Sequence, residues 1–198
     1  MGRRSAVAVL ACALLVPALL AGCAEKHQAS TTLPPVSDAA AATSSSAAAL
    51  PAVGPADFPV PMEARQHTPT GALAFTRYYI ELMNRQAATL DSQPLRDLSR
   101  KCETCEDLAQ SYEETKAAGH HFRGGEITVV SMGGGLVHEG TSQTSFLLAE
   151  SPTTIVDSSG APVEVRSSAG KRLTGGAILW WDADRSTWLM AQLDANPV

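Results

Sequence analysis

A chain of 198 residues with 15 basic and 20 acidic side chains, a formal net charge of −5, has no cation excess with which to hold a nucleic-acid backbone. Its four cysteines are too few for a disulfide-dense mini-scaffold. Hydrophobic residues make up 44% but are unevenly placed: Ala crowds the first 56 positions, whereas every Trp, Tyr and Phe lies at Phe58 or beyond. Only that later part has the means to bury a core.

The N-terminus opens with Met1-Gly2-Arg3-Arg4 and continues as an apolar run from Ala6 to Leu20, interrupted by Pro17. The run falls short of the roughly 20 helical residues that span a bilayer, so it reads as a secretory signal and not a stable membrane span. Leu20-Ala21-Gly22-Cys23 resembles a bacterial lipobox, a branched apolar residue and two small ones before a Cys. The resemblance implies cleavage between Gly22 and Cys23, diacylation of the Cys23 thiol by palmitate-type chains, and a lipid-anchored protein on the extracytoplasmic side of the cell membrane. Residues 1–22 are then a lipoprotein signal peptide. Their loss removes Arg3 and Arg4 and leaves a more acidic body, unsuited to docking on anionic lipid through a basic face. Two acyl chains on one Cys anchor durably without any span.

Residues 23–57 read as the lipidated Cys followed by a disordered tether. Ala, Ser, Thr and Pro dominate it, and Pro34, Pro35, Pro51 and Pro55 break regular structure. As a coil such a tether has a root-mean-square reach of about 30–35 Å.

Residues 58–198 have the composition of a folded domain. Thr68-Pro69 is a helix start, and Ala72, Phe75, Tyr79, Leu82 and Met83 recur at helical spacing over a helix from about Pro69 to Leu90. Pro94–Ser99 reads as a short helix. A third starts at Thr104, with Asp107 completing a weak capping box, and ends at Gly119. Strand texture follows at Ile127–Val130 and Thr144–Leu148, flanking a glycine-rich turn region at Gly133–Gly140. Two hairpins complete the chain: Thr154–Val156 with Val163–Val165 around Asp157–Gly160, and Ala177–Trp181 with Trp188–Leu193 around Asp182–Thr187. Alternation places Trp180 with Ile178 on one face and Trp181 with Leu179 on the other; one face is core, and the other is either a binding surface or a contact for a helix. Phe75, Tyr79, Leu82, Leu108, Phe146, Ile178, Trp180 and Leu193 are the expected core. The expected class is α+β: about three N-terminal helices packed on a curved antiparallel sheet.

That order resembles the NTF2-like cone fold. More narrowly, Phe58-Pro59-Val60-Pro61, Thr68-Pro69-Thr70-Gly71-Ala72, Tyr78-Tyr79-Ile80-Glu81-Leu82-Met83-Asn84 and Cys102-Glu103-Thr104-Cys105 are similar to an uncharacterised actinobacterial lipoprotein family, a domain of unknown function. The similarity runs over roughly Phe58–Leu193 and implies the fold and an envelope location. It brings no catalytic residues.

Once Cys23 is acylated and Cys12 is cleaved away, Cys102 and Cys105 are the remaining thiols, and in an exported chain a disulfide is the default. The alternatives are a thioredoxin-type redox pair, favoured by a helix N-terminus but lacking the apolar strand that precedes such pairs, and a metal site or free thiols. His120, His121, His138 and Glu139 are a possible metal set, though adjacent histidines point apart. Asp182-Ala183-Asp184 echoes a calcium loop without its Gly or its Glu, and reads as a polar hairpin tip. Gly133-Gly134-Gly135 lacks the Lys-Ser/Thr of a phosphate loop, and no motif calls for a cofactor or a metal.

These features predict a non-catalytic binding or scaffolding module in the cell envelope, whose partner is an envelope protein or a small apolar ligand. The alternatives are an isomerase- or hydrolase-like enzyme using the cone cavity, with Tyr78, Tyr79, Tyr112 and His121 as available polar aromatics, or a carrier of an apolar ligand. An enzyme of that kind needs a carboxylate facing an apolar pocket.

Overall fold

The structure, a computed structural model, describes residues 50–163 and 168–198. Residues Gly22 and Cys23, most of the tether, and Glu164 and Val165 lie outside the described residues. The folded body begins earlier than the expected boundary after Asp57. Val53 is only 4% exposed, and its carbonyl accepts from Val60 N at 2.9 Å. The cause is aromatic: Phe58 stacks on Tyr78 with centroids 5.0 Å apart, and the Tyr78 hydroxyl donates to Phe58 O at 2.8 Å. That pair holds the strap Val53–Val60 against the first helix.

Helix α1 (Pro69–Thr89) starts as its sequence predicts. Thr68 Oγ1 accepts from Gly71 N at 3.0 Å and Pro69 supplies a φ already suited to the first turn. The helix buries Phe75, Tyr79 and Leu82 on one face. Short α2 (Gln93–Asp97) follows, then α3 (Glu103–Ala117). Here the expected Thr104 start is corrected: the cap is Cys102, whose Sγ accepts from Cys105 N at 3.2 Å. Arg96 of α2 reaches across to α3, bonding Glu106 at 2.7 Å and pairing with Glu113, which also accepts from Ser92.

The strands are β1 (His121–Gly124), β2 (Ile127–His138), β3 (Thr141–Glu150), β4 (Thr153–Val156), β5 (Lys171–Asp182) and β6 (Thr187–Pro197). All pairs are antiparallel, in a four-stranded sheet β2-β3-β5-β6 and a two-stranded ribbon β1-β4. The ribbon is the β2-β3 ladder carried round a corner: between Ile127↔Glu150 and Gly124↔Thr153, Ser151 N donates to Glu126 O and Gly125 N to Pro152 O. Gly124, with φ of +77°, allows that corner, because a Cβ there would meet Pro152 O at 2.0 Å. The turn Asp157–Gly160 forms as expected, with Gly160 N bonded to Asp157 O at 2.9 Å, but the ladder partner of β4 is β1. Beyond the turn the described residues return antiparallel beside β4, with bridges Val156–Pro162 and Thr153–Ser168 and with Val163 N donating to Ile155 O at 3.1 Å.

Gly133–Gly135 also differs from expectation. The three glycines run inside β2, and the reversal comes at Glu139-Gly140. Gly135 is needed for packing: a Cβ there would lie 2.6 Å from Pro69 O, so α1 can rest its first turn on β2 only over a glycine. The Asn84 side chain on α1 acts as a short strand for β2, donating to Ile127 O and accepting from Ile127 N, both at 2.8 Å. Arg65 in the single-turn helix Met62–Arg65 donates to Arg185 O at 2.8 Å and Ser186 O at 3.2 Å, tying the chain before α1 to the β5–β6 turn.

The α2–α3 ion pairs give a pH prediction. Hydrogen bonds from Arg96 and then Ser92 hold the Glu113 carboxyl down at about 2, and Arg96 likewise lowers Glu106. Carboxyls depressed on folding stabilise above their unfolded values near 4.5, and that contribution fades as pH falls toward 2. The melting temperature should therefore drop between pH 5 and 2, and Arg96→Gln should flatten that drop while lowering the value at pH 7. An unchanged pH profile in Arg96→Gln would show that the network contributes nothing.

Candidate functional site

The concave face of the sheet is where a cone cavity would open, and side chains fill it. Phe75, Tyr79 and Leu82 from α1 meet Phe146, Leu179, Met190 and Leu193 from the sheet, all buried. Several polar groups that enter this core bond to the backbone or to one another. Thr76 Oγ1 donates to Ala72 O at 3.0 Å and bonds Thr144 Oγ1 at 3.1 Å, and the Tyr79 hydroxyl bonds Ser99 Oγ at 2.7 Å. Tyr112 donates to Met83 O at 3.3 Å. Burial pushes Tyr78 and Tyr79 up to about 12 and raises Tyr112 as well, so these phenols stay protonated as structural donors. Among the described residues no Asp or Glu is buried, so no carboxylate faces this interior. Three buried hydroxyls, of Ser142, Thr153 and Thr187, lack a partner; none is an acid or a base at ordinary pH.

The other predicted residues scatter. His121 lies in β1 and His138 closes β2, at opposite ends of the bent β1–β2 segment. Among the described residues no three His, Cys, Asp or Glu side chains are grouped to hold a metal ion. Asp182 holds the hairpin turn, its Oδ1 accepting from Arg185 N at 3.1 Å. Cys102 and Cys105 are joined, with Cα atoms 5.2 Å apart, and both are buried. Glu103 and Glu106 occupy the first turn of α3, with Asp107 following. That acidic surrounding opposes the thiolate that a redox pair requires, so the pair's chemistry is that of a staple at the helix start.

The surface that stands out is the outer face of the sheet. The expected placement of Ile178 and Trp180 in the core is corrected: Leu179 is buried, Trp181 packs against the core, and Trp180 faces outward, 42% exposed. The Arg100 guanidinium lies 4.5 Å from the Trp180 ring centroid and holds it in place. Two bulges shape this face. In β2 the register slips between Gly134 and Leu136, so Leu136 turns outward, 83% exposed, where strict alternation from Met132 points it inward. In β6 the pairing jumps from Met190 to Gln192 opposite Leu179 and Ile178, and Gln192 turns outward by the same means.

Both re-aimed side chains land in one cross-strand row, Leu136–Gln143–Ile178–Gln192. Beside it runs His138–Thr141–Trp180–Leu189. A groove of about 560 Å³ lies along Leu136, Thr141, Gln143 and Ser145, and a smaller one of about 230 Å³ lies over Gly176 between Gln143, Ile178 and Gln192. Sequence reasoning separated the two faces of β5 and left one as a candidate binding surface or helix contact, but put Ile178 and Trp180 in the core; no local signal marked Leu136 or Gln192.

Helices packed on one face of a bent antiparallel sheet define an α+β domain. The chain belongs to the DUF6318 family, a family of unknown function, which it matches over residues 53–194. No curated protein matches it. Among solved structures it is similar to the intermembrane-space region of the chloroplast protein ARC6, at 10% identity and a TM-score of 0.44, covering 64% of this chain and 95% of that one. It is also similar to an NTF2-like family protein of Streptomyces avermitilis, at 13% identity and a TM-score of 0.41, covering 66% and 99%.

The staple reading of the cysteines gives a measurable expectation. A four-residue loop closed by a disulfide contributes only about 2 kcal/mol by chain entropy. Cys102→Ser with Cys105→Ser should lower the denaturation free energy by about that amount, leaving the fold intact by far-UV circular dichroism. Complete unfolding of the double variant at 25 °C would contradict it.

Proposed function

We propose that this protein is a lipid-anchored, extracytoplasmic binding module of the cell envelope, with the architecture of an NTF2-like cone whose interior is solid and non-catalytic. The observation that carries the reading is the concave face itself, closed by Phe75, Tyr79, Leu179 and Met190 with no buried carboxylate among the described residues. An isomerase or hydrolase working in that cone needs a desolvated acid or base beside an open pocket, and a carrier needs the open pocket alone. The tyrosines that might have served are bonded to the chain's own carbonyls or to Ser99. Binding at the outer surface is what this design leaves available.

The anchor rests on Leu20-Ala21-Gly22-Cys23 behind a basic start and a short apolar run. Among the described residues no helix is long and apolar enough to cross a membrane. Two acyl chains on Cys23 supply the attachment, and the Ala/Ser/Thr/Pro-rich stretch between Cys23 and Val53 spaces the domain from the bilayer. Replacing Cys23 with Ala should abolish labelling by radioactive palmitate and shift the protein from the membrane to the soluble fraction. Retention of the label by Cys23→Ala would refute the anchor.

A further inference from the structure

We propose that the outer sheet face centred on Trp180, Gln143 and Leu136 binds a neutral carbohydrate chain; the inference rests on the binding-module reading and names its ligand class. The first support is construction. Leu136 and Gln192 face solvent only because a bulge in each of two different strands reverses their direction, and both reversals feed the same row. Burial of a Leu side chain stabilises a fold, so a strand that turns one out forgoes stability that simple alternation would have kept. Bulges that re-aim side chains in this way gather beside working sites.

Chemistry supplies the second support. Along the row apolar and amide side chains alternate, Leu136, Gln143, Ile178, Gln192, with Trp180 and Thr141 in the row beside it. A sugar ring presents apolar C–H faces and hydroxyl edges in the same alternation. The C–H groups suit the negative face of an indole, and amides both donate to and accept from hydroxyls. Arg100 stacks on Trp180 and restricts the ring, which lowers the ordering cost of binding. Strands about 4.8 Å apart make a four-strand row about 14 Å long, the run of a short oligosaccharide, and the two grooves lie along it.

Charge narrows the class. The two rows carry no Lys, Arg, Asp or Glu; Asp194 sits at the margin, bonded by Gln192, and Arg100 is committed to Trp180. Arg100 is a single cation with the Asp194 carboxylate on the same face, so a phosphate or uronate chain meets no run of positive charge there. A protein partner or a second copy needs a continuous apolar centre within about 800 Å² per side; here amides interrupt the Leu136–Gln143–Ile178–Gln192 row, and the continuous apolar contact is confined to Ile178, Trp180 and the buried Leu189.

The test uses the full chain in mild detergent, with laminarin, maltoheptaose, cellohexaose and a neutral galactan as probes and polygalacturonate as the charged comparison. Affinity electrophoresis and tryptophan fluorescence read binding, and sedimentation reads self-association. At least one neutral glycan should bind with half-saturation near about 1 mM or tighter. Trp180→Ala should weaken it about tenfold or more and Gln143→Ala several-fold, with thermal unfolding unchanged. The proposal falls if no neutral glycan binds, if Trp180→Ala binds equally well, or if the face proves to hold a second copy, seen as a dimer lost in Trp180→Ala and Leu136→Ser. Binding to isolated envelopes that survives Trp180→Ala would overturn this site while leaving the binding-module reading standing. Envelope binding absent from the wild type would overturn both.

Discussion

The approach of α1 to the sheet governs the rest of the molecule. A helix carrying Phe75, Tyr79 and Leu82 on one face can cover a curved sheet only if its backbone comes close at one end, and Gly135 permits that beneath Pro69. With the first turn seated, the aromatic face fills the concavity and Asn84 catches the start of β2. The same glycine run that admits the helix sits in the bulge that turns Leu136 outward. Core packing and the outer surface are thus set by one irregularity in one strand, so a side chain at position 135 disturbs both.

Filling the concavity decides what chemistry is open to the fold. Polar groups inside it bond each other or the backbone, as Thr76 does with Thr144 and Tyr79 with Ser99. The conspicuous stretch Tyr78–Asn84 is architectural: Tyr78 anchors the Val53–Val60 strap, Tyr79 meets the α2 segment, and Asn84 clamps β2. Cys102 and Cys105 belong with these, capping and stapling α3. The binding proposed for this domain is assigned to the outer face, where the sheet carries its exposed aromatic and its re-aimed Leu and Gln.

Local signals were legible in the sequence and long-range ones were not. Thr68-Pro69 and the 3.6-residue stripe after it specify α1 almost to the residue, because cap and periodicity act within a few positions. The α3 cap lies two residues before the expected Thr104 because a cystine sulfur, not a hydroxyl, accepts the capping bond. The β1–β4 ribbon depends on Gly124 meeting Pro152 across the corner, a contact that no window of sequence contains. On β5 both faces are apolar, so alternation separates Ile178 and Trp180 from Leu179 and Trp181 without saying which pair is inside; α1 decides that. For Leu136 and Gln192 the bulges invert the parity on which a strand reading relies. A binding face on β5 was thus legible as one of two choices, but its side and its Leu136 and Gln192 members were not, whereas the residues that fill the core were for the most part named correctly.

The claim on which this account turns is that the cone interior is solid. Methyl NMR of Leu82, Leu179 and Met190 during titration with benzene or under xenon pressure tests it directly, since an apolar cavity of ligand size takes up either probe. A filled core predicts methyl resonances that do not shift in a saturable way. Saturable shifts at these three methyls, with the helices still seated on the sheet, would reveal an open apolar pocket and return the function to the inside of the cone.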